Sequence, residues 1–125
     1  MAPLSLTTTR EMSFTPAFNK LSPSELERLA VLGGELNEAA GVVAKILRYG
    51  YEASNPFDPS GETNREALER ELGDVANGIR MLCVAGDLAA DRITAWAAEK
   101  QQTIGKWLHH QSDVVVYQEP QYVGQ

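Results

Sequence analysis

Two carboxylate pairs constrain this chain more than any other feature: Glu35-Leu36-Asn37-Glu38 and Glu71-Leu72-Gly73-Asp74. In each, the acids stand three residues apart, which on a helix places both on one face about one turn apart. Apolar residues surround each pair, a poor setting for a solvated charge stripe. Two antiparallel helices would let the pairs meet at mid-height. Four carboxylates in one cleft repel strongly unless cations or protons neutralise them. An E-x-x-E on a single helix is usually a solvated face. Two on consecutive helices, each followed by an apolar run of helical period, carry more weight.

The local signals agree with two long helices. Ser22 can cap the first, Pro23 suits its first position, and Glu25 closes a capping box. Leu26, Leu29, Leu32 or Gly33, Leu36, Ala40, Val43 and Leu47 then recur at helical spacing as far as Tyr49, where Gly50 stops the pattern. Gly33, Gly34 and Gly41 each cost about 1 kcal/mol relative to Ala inside a helix. A close neighbour, backbone or ligand, would explain them. Thr63 and Glu66 form a second capping box, and Leu68, Leu72, Val75, Ile79, Leu82 and Cys83 give the second stripe. Residues 50–62 hold two prolines, two glycines and an Asn-Pro step, and read as a loop. The loop is long for a helix connection, which points to a functional or interface role.

Gly86 is a natural stop, and Asp87 can cap a third helix from about Leu88 to His110, with Asp91 as the other candidate cap. Its apolar members are Ile93, Trp96, Ala97, Ile104, Trp107 and Leu108. Residues 1–21 read as an arm, with Phe14 and Phe18 as anchors, or as disorder. Residues 111–125 read as an extended tail, because Val114, Val115, Val116 and Tyr117 favour strand. A lone strand needs a partner, so this segment would pair with another chain or lie along a groove. The expected fold is all-α: a domain over residues 22–110 with irregular ends, one modest core and no internal repeat.

Composition removes several classes of function. A net charge of −6 offers no broad basic surface for a nucleic-acid polymer. No segment approaches the roughly 18 unbroken apolar residues of a membrane span. No apolar stretch follows a basic start, so a secretory signal is not expected. Cys83 is the single cysteine, so no internal disulfide can form, and a reducing cytoplasmic setting fits. A small phosphorylated ligand needs only a few local cations and a metal.

Oxygen ligands with no His or Cys nearby point to Mg²⁺, with Mn²⁺ as the close alternative. Lys45 and Arg48, late in the first helix, can reach phosphates or simply stabilise the helix C-terminus. Asn77 lies about one turn beyond Asp74. Tyr49, Tyr51 and Phe57 are the base-stacking candidates beside the loop, ahead of Trp96 and Trp107, whose spacing suits core or interface. His109 and His110 read as solvated or interfacial.

Glu35-x-x-Glu38 followed by Glu71-x-x-Asp74, on two helices joined by a loop, resembles the all-α nucleoside triphosphate pyrophosphohydrolases of the MazG-like type. The setting Leu36 to Ala40 and the run Glu71-Leu72-Gly73-Asp74-Val75 carry the same resemblance, which covers roughly residues 22–108. It implies a helical bundle completed by oligomerisation, as a homodimer or homotetramer. It implies Mg²⁺-dependent hydrolysis of an NTP or dNTP to the monophosphate and pyrophosphate. Glu35, Glu38, Glu71 and Asp74 would then be metal ligands, with Glu38 also activating water. Family members often carry an Asn-Lys pair with an Arg one turn later on the third helix. Here Glu99 precedes Lys100 and Ile104 holds the Arg position, so Lys100 with Lys106 would have to serve the phosphates. The connecting loop is also enlarged. A hydrolase of another pyrophosphate-containing nucleotide, such as an alarmone, and a non-catalytic dimeric helical regulator are the competing expectations.

Overall fold

The computed structural model describes residues 18–116. Helix α1, Pro23–Tyr49, opens with the predicted capping box: the Glu25 N–H donates to Ser22 Oγ at 3.1 Å, and the Ser22 N–H donates to the Glu25 carboxylate at 3.0 Å. Gly50 ends it at φ 91, donating its N–H to the Ile46 carbonyl at 2.7 Å. That backbone region is open to glycine at no steric cost. Helix α2, Asn64–Val84, starts from Thr63, whose hydroxyl accepts from the Glu66 N–H at 3.1 Å.

The two helices form an antiparallel hairpin. Near one end, Arg28 of α1 pairs with Asp87 beyond α2 through Nε–Oδ2 at 2.6 Å and Nη2–Oδ1 at 3.0 Å. At the other end, the Asn64 amide donates to the Gly50 carbonyl at 3.0 Å. Between them, Gly78 of α2 meets Leu32 of α1. A Cβ on Gly78 would stand 3.3 Å from Leu32 Cδ1 and 3.4 Å from its Cα, so the helices approach closely here. Ala39, Val42, Val75 and Leu82 are the buried apolar side chains among the described residues.

This core differs from the one that the spacing predicts. Leu26, Leu29, Leu36, Val43 and Leu47 of α1 are exposed, Leu47 at 84%. The side of α1 that meets α2 carries Leu32, Glu35, Ala39, Val42 and Ile46, all buried or half-buried. The missing side chain of Gly78 on α2 permits the short interhelical distance at Leu32, and the more apolar stripe of α1 turns outward. Gly33, Gly34 and Gly41 have nothing within 4 Å of an added Cβ, so no neighbour among the described residues explains them.

The loop is irregular, as predicted, but built. Ser54 and Thr63 form an antiparallel bridge. The Asn64 N–H donates to Ala53 O at 2.8 Å, and the Arg65 N–H donates to Tyr51 O at 2.9 Å. Asn55 and Asp58 side chains accept from the Phe57 and Ser60 N–H groups, each at 2.9 Å. Such short-range bonds are the reason Asn and Asp favour turns.

A second compact unit begins at Leu88. It holds α3, Ala90–Thr103, a 3₁₀ turn, Ile104–Trp107, and a short helical turn α4, Asp113–Val116. Asp87 does not cap α3: its carboxylate is taken by Arg28, and Ala89 holds the cap position. Helix α3 also ends earlier than His110, where Thr103, Ile104 and Gly105 lower helix propensity in succession. In place of an extended run at residues 114–116, the part of the tail valines that is described, the Val115 and Val116 N–H groups donate to Ser112 O at 3.0 and 3.2 Å. The turn satisfies locally the groups that an unpaired strand would leave free. Val116 Cγ1 would lie 2.8 Å from a Cβ on Gly105, so a larger residue there would have to displace that side chain.

Tyr117 and Phe14 lie outside the described residues. Phe18 is fully exposed and does not anchor on the described residues. Among the described residues, no helix is long and apolar enough to cross a membrane.

Candidate metal centre

The close approach of α1 and α2 near Gly78 brings three of the four predicted acids together. Glu35, Glu71 and Asp74 each offer a carboxylate oxygen within 4.8 Å of the other two. Their environments differ in a graded way. Glu71 is 6% exposed, Glu35 is half-buried and Asp74 is open to solvent. Oε2 of Glu35 and Oε2 of Glu71 are buried with no hydrogen-bond partner among the described residues.

An unpartnered buried carboxylate oxygen costs about 1–3 kcal/mol or more, so such a group calls for a water or a cation to meet it. Here two occur in one cluster of like charge. The donor set is all oxygen, with one mouth open on the Asp74 side. That chemistry fits a hard divalent cation that keeps part of its water shell.

Glu71 has one tie. Its Oε1 accepts from Arg70 Nη1 at 2.9 Å. The same guanidinium donates Nε and Nη2 to the two oxygens of Glu62, at 2.9 and 3.2 Å. The Glu62 bond holds the Arg70 guanidinium still more firmly protonated than usual, and Arg70 in turn pulls the Glu62 carboxyl below its ordinary value. The Ser60 backbone N–H likewise lowers Asp58.

Glu38 is exposed and stands outside the three-acid set. It lines a cavity of about 420 Å³ whose wall includes Glu71, Arg70, Lys45 and Asp58. Lys45, Asn55 and Asn64 also line a second cavity, about 570 Å³, which continues to Arg48, Tyr49 and Pro56. Glu38, Glu71 and the predicted α1 cations therefore border adjoining spaces beside the loop, whereas Glu35 and Asp74 line neither.

Other predicted residues lie elsewhere. The face of Tyr51 is covered by the Arg65 guanidinium, 4.4 Å from the ring centre, and Arg65 is also paired with Glu52. Phe57 projects from the loop at 92% exposure. The Asn77 amide accepts from Arg80 Nε at 3.2 Å and lines neither cavity. Lys100 and Lys106 belong to the second unit, where Lys106 lies over the Trp107 ring at 5.5 Å. Arg70, Glu62, Asn55, Asn64 and Asp58 were not predicted. The one signal for Arg70 was its place between Glu69 and Glu71, a single cation inside an acidic run.

Comparison with known protein families, curated proteins and solved structures finds no match to this chain.

Proposed function

We propose that this chain is a Mg²⁺-dependent nucleotide pyrophosphohydrolase. The observation that carries the reading is the buried Glu71 carboxylate, with an unpartnered oxygen, in a cluster with Glu35 and Asp74. The resemblance of the two acid motifs to MazG-like enzymes supplies the reaction class. When bound, Mg²⁺ supplies neutralisation of phosphate charge and acidification of water; Mn²⁺ suits the same oxygens.

The chain's own residues divide the remaining work. Glu35, Glu71 and Asp74 would hold the ion. Glu38, exposed on the wall of the smaller cavity that Glu71 also lines, would accept the proton of the attacking water. Lys45 borders both cavities and Arg48 the larger one, so both can take phosphate oxygens. Tyr49, which lines the larger cavity, is the base-contacting candidate that adjoins this space. Water adds to the α-phosphorus, the bond from that phosphorus to the bridging oxygen breaks, and the products are the monophosphate and pyrophosphate.

The active form we propose is a homodimer, or a homotetramer built from it. The outward stripe of α1, Leu26, Leu29, Gly33, Leu36, Ala40, Val43 and Leu47, alternates three and four residues apart and bears no charge. That spacing suits a second helix packed along it. A reducing cytoplasmic location fits the single, half-buried Cys83.

The test is pyrophosphate release from a panel of canonical and modified NTPs and dNTPs, with Mg²⁺ and with EDTA. Metal-dependent release from one or a few substrates is expected, and Glu71→Gln should lower it by at least about a hundredfold. Release that survives EDTA, or no release from any nucleotide, overturns the reading.

A further inference from the structure

We propose that Arg70 is the positioning residue of the acid cluster, fixing Glu71 by one oxygen so that the other stays free for a cation, and tying that oxygen's orientation to the loop through Glu62. The inference rests on reading the cluster as a Mg²⁺ site.

The geometry makes Arg70 a three-point brace. Nε and Nη2 form one edge of the guanidinium and grip both oxygens of Glu62, which lies just before the α2 cap. Nη1 is then left to meet Glu71 Oε1 at 2.9 Å. A planar fork held on one edge has little freedom on the other. With Oε1 so fixed, the rotation of the Glu71 carboxylate is fixed too, and Oε2 is the atom without a partner. Arg70 is itself about half exposed, so its contact with Glu71 depends on the grip from Glu62. A lysine ammonium at this position could not reproduce three directed N–H bonds in one plane.

Charge and geometry pull in opposite directions here, which makes the inference decidable. A fixed positive charge beside Glu71 disfavours a second cation. If charge were all that Arg70 contributed, Arg70→Met would bind Mg²⁺ more tightly than wild type, and Arg70→Lys would be unchanged. As a positioning residue, Arg70 predicts the reverse.

The experiment is calorimetric titration of Mg²⁺ into the full chain, as wild type, Arg70→Lys, Arg70→Met and Glu62→Gln. Thermal melts in EDTA establish which variants are folded. Arg70→Lys and Arg70→Met should each weaken Mg²⁺ binding by about 10–100-fold, the range found when groups that orient metal ligands are removed. Glu62→Gln, which leaves Arg70 whole, should show a smaller loss in the same direction and carries the test if an Arg70 variant does not fold. Variants that bind as tightly as wild type, or more tightly, overturn this inference alone. A wild type that binds no Mg²⁺ overturns it together with the proposed function. Weakened variants of a wild type that binds Mg²⁺ but turns over no nucleotide support the brace and overturn the pyrophosphohydrolase reading.

Discussion

At the scale of single residues, the acid cluster sets a cost that a cation would remove. Glu35 and Glu71 each keep a buried oxygen without a partner, and Asp74 adds a third negative group within 4.8 Å. Without a divalent ion, Glu35→Gln should therefore raise thermal stability, by on the order of 1 kcal/mol, because one of the crowded charges is gone. Mg²⁺ should raise the Tm of wild type and leave that of the variant nearly unmoved. Melts of both proteins in EDTA and in Mg²⁺ check this; a variant less stable than wild type in EDTA sinks the idea. The acid pairs were legible in the sequence because a spacing of three fixes a shared helical face whatever the tertiary structure. Arg70 was not legible as a brace, since nothing in Glu69-Arg70-Glu71 tells which acid the guanidinium reaches. Its principal partner, Glu62, lies across the start of the helix. Glu38 shows the limit from the other side. It shares the motif with Glu35, yet three residues leave it about 60° away round the helix, outside the cluster and on a cavity wall.

At the scale of elements, local signals were read well and long-range ones poorly. The Ser22 and Thr63 caps depend only on residues three apart, and both hydroxyls accept the expected N–H, but only the Ser22 box is closed: Glu66 does not return the bond that Glu25 makes. Asp87, by contrast, looks like a cap in the sequence and instead closes the hairpin with Arg28, fifty-nine residues away. The bond from Arg28 lowers the Asp87 carboxyl below its ordinary value of 3.8. A carboxyl lowered on folding stabilises the folded state fully above its unfolded value and loses that contribution as pH falls through the folded value. The pair should therefore hold near neutral pH and fail in acid, below about pH 4. Asp87→Asn should lower the Tm at pH 7, and the gap to wild type should narrow as pH drops through that window. A gap that stays constant across the acid range would show that Asp87 acts by packing or by a neutral hydrogen bond. The tail is the matching case at the other end of the chain. Strand propensity in the valines was overridden because a helical turn headed by Ser112 satisfies their N–H groups without a partner strand.

At the scale of the whole molecule, the hairpin uses the less apolar side of α1 within the chain. At about 100° per residue, the Leu26 to Leu47 stripe lies roughly a third of a turn from the side that meets α2, and Glu38 lies on the opposite flank. A second copy on the stripe would thus leave the acid side clear. The sequence pattern found this stripe readily; what it could not tell was whether the stripe packs inside one chain or between two, because both leave the same period. Sedimentation velocity should give a dimer for wild type, and Leu36→Glu should weaken association by at least about tenfold, the cost of a charge in an apolar seam. A monomeric wild type at tens of micromolar would remove the assembly from the proposal. The loop bears on the molecule in another way. Its two ends are already joined to each other by the Ser54–Thr63 bridge and by the bonds of Asn64 and Arg65 to Ala53, Tyr51 and Glu52. The peptide around exposed Phe57 is then a redundant covalent link. Cut there, the hairpin should give two complementing fragments, neither with the whole acid cluster, because one would carry Glu35 and the other Glu71 and Asp74.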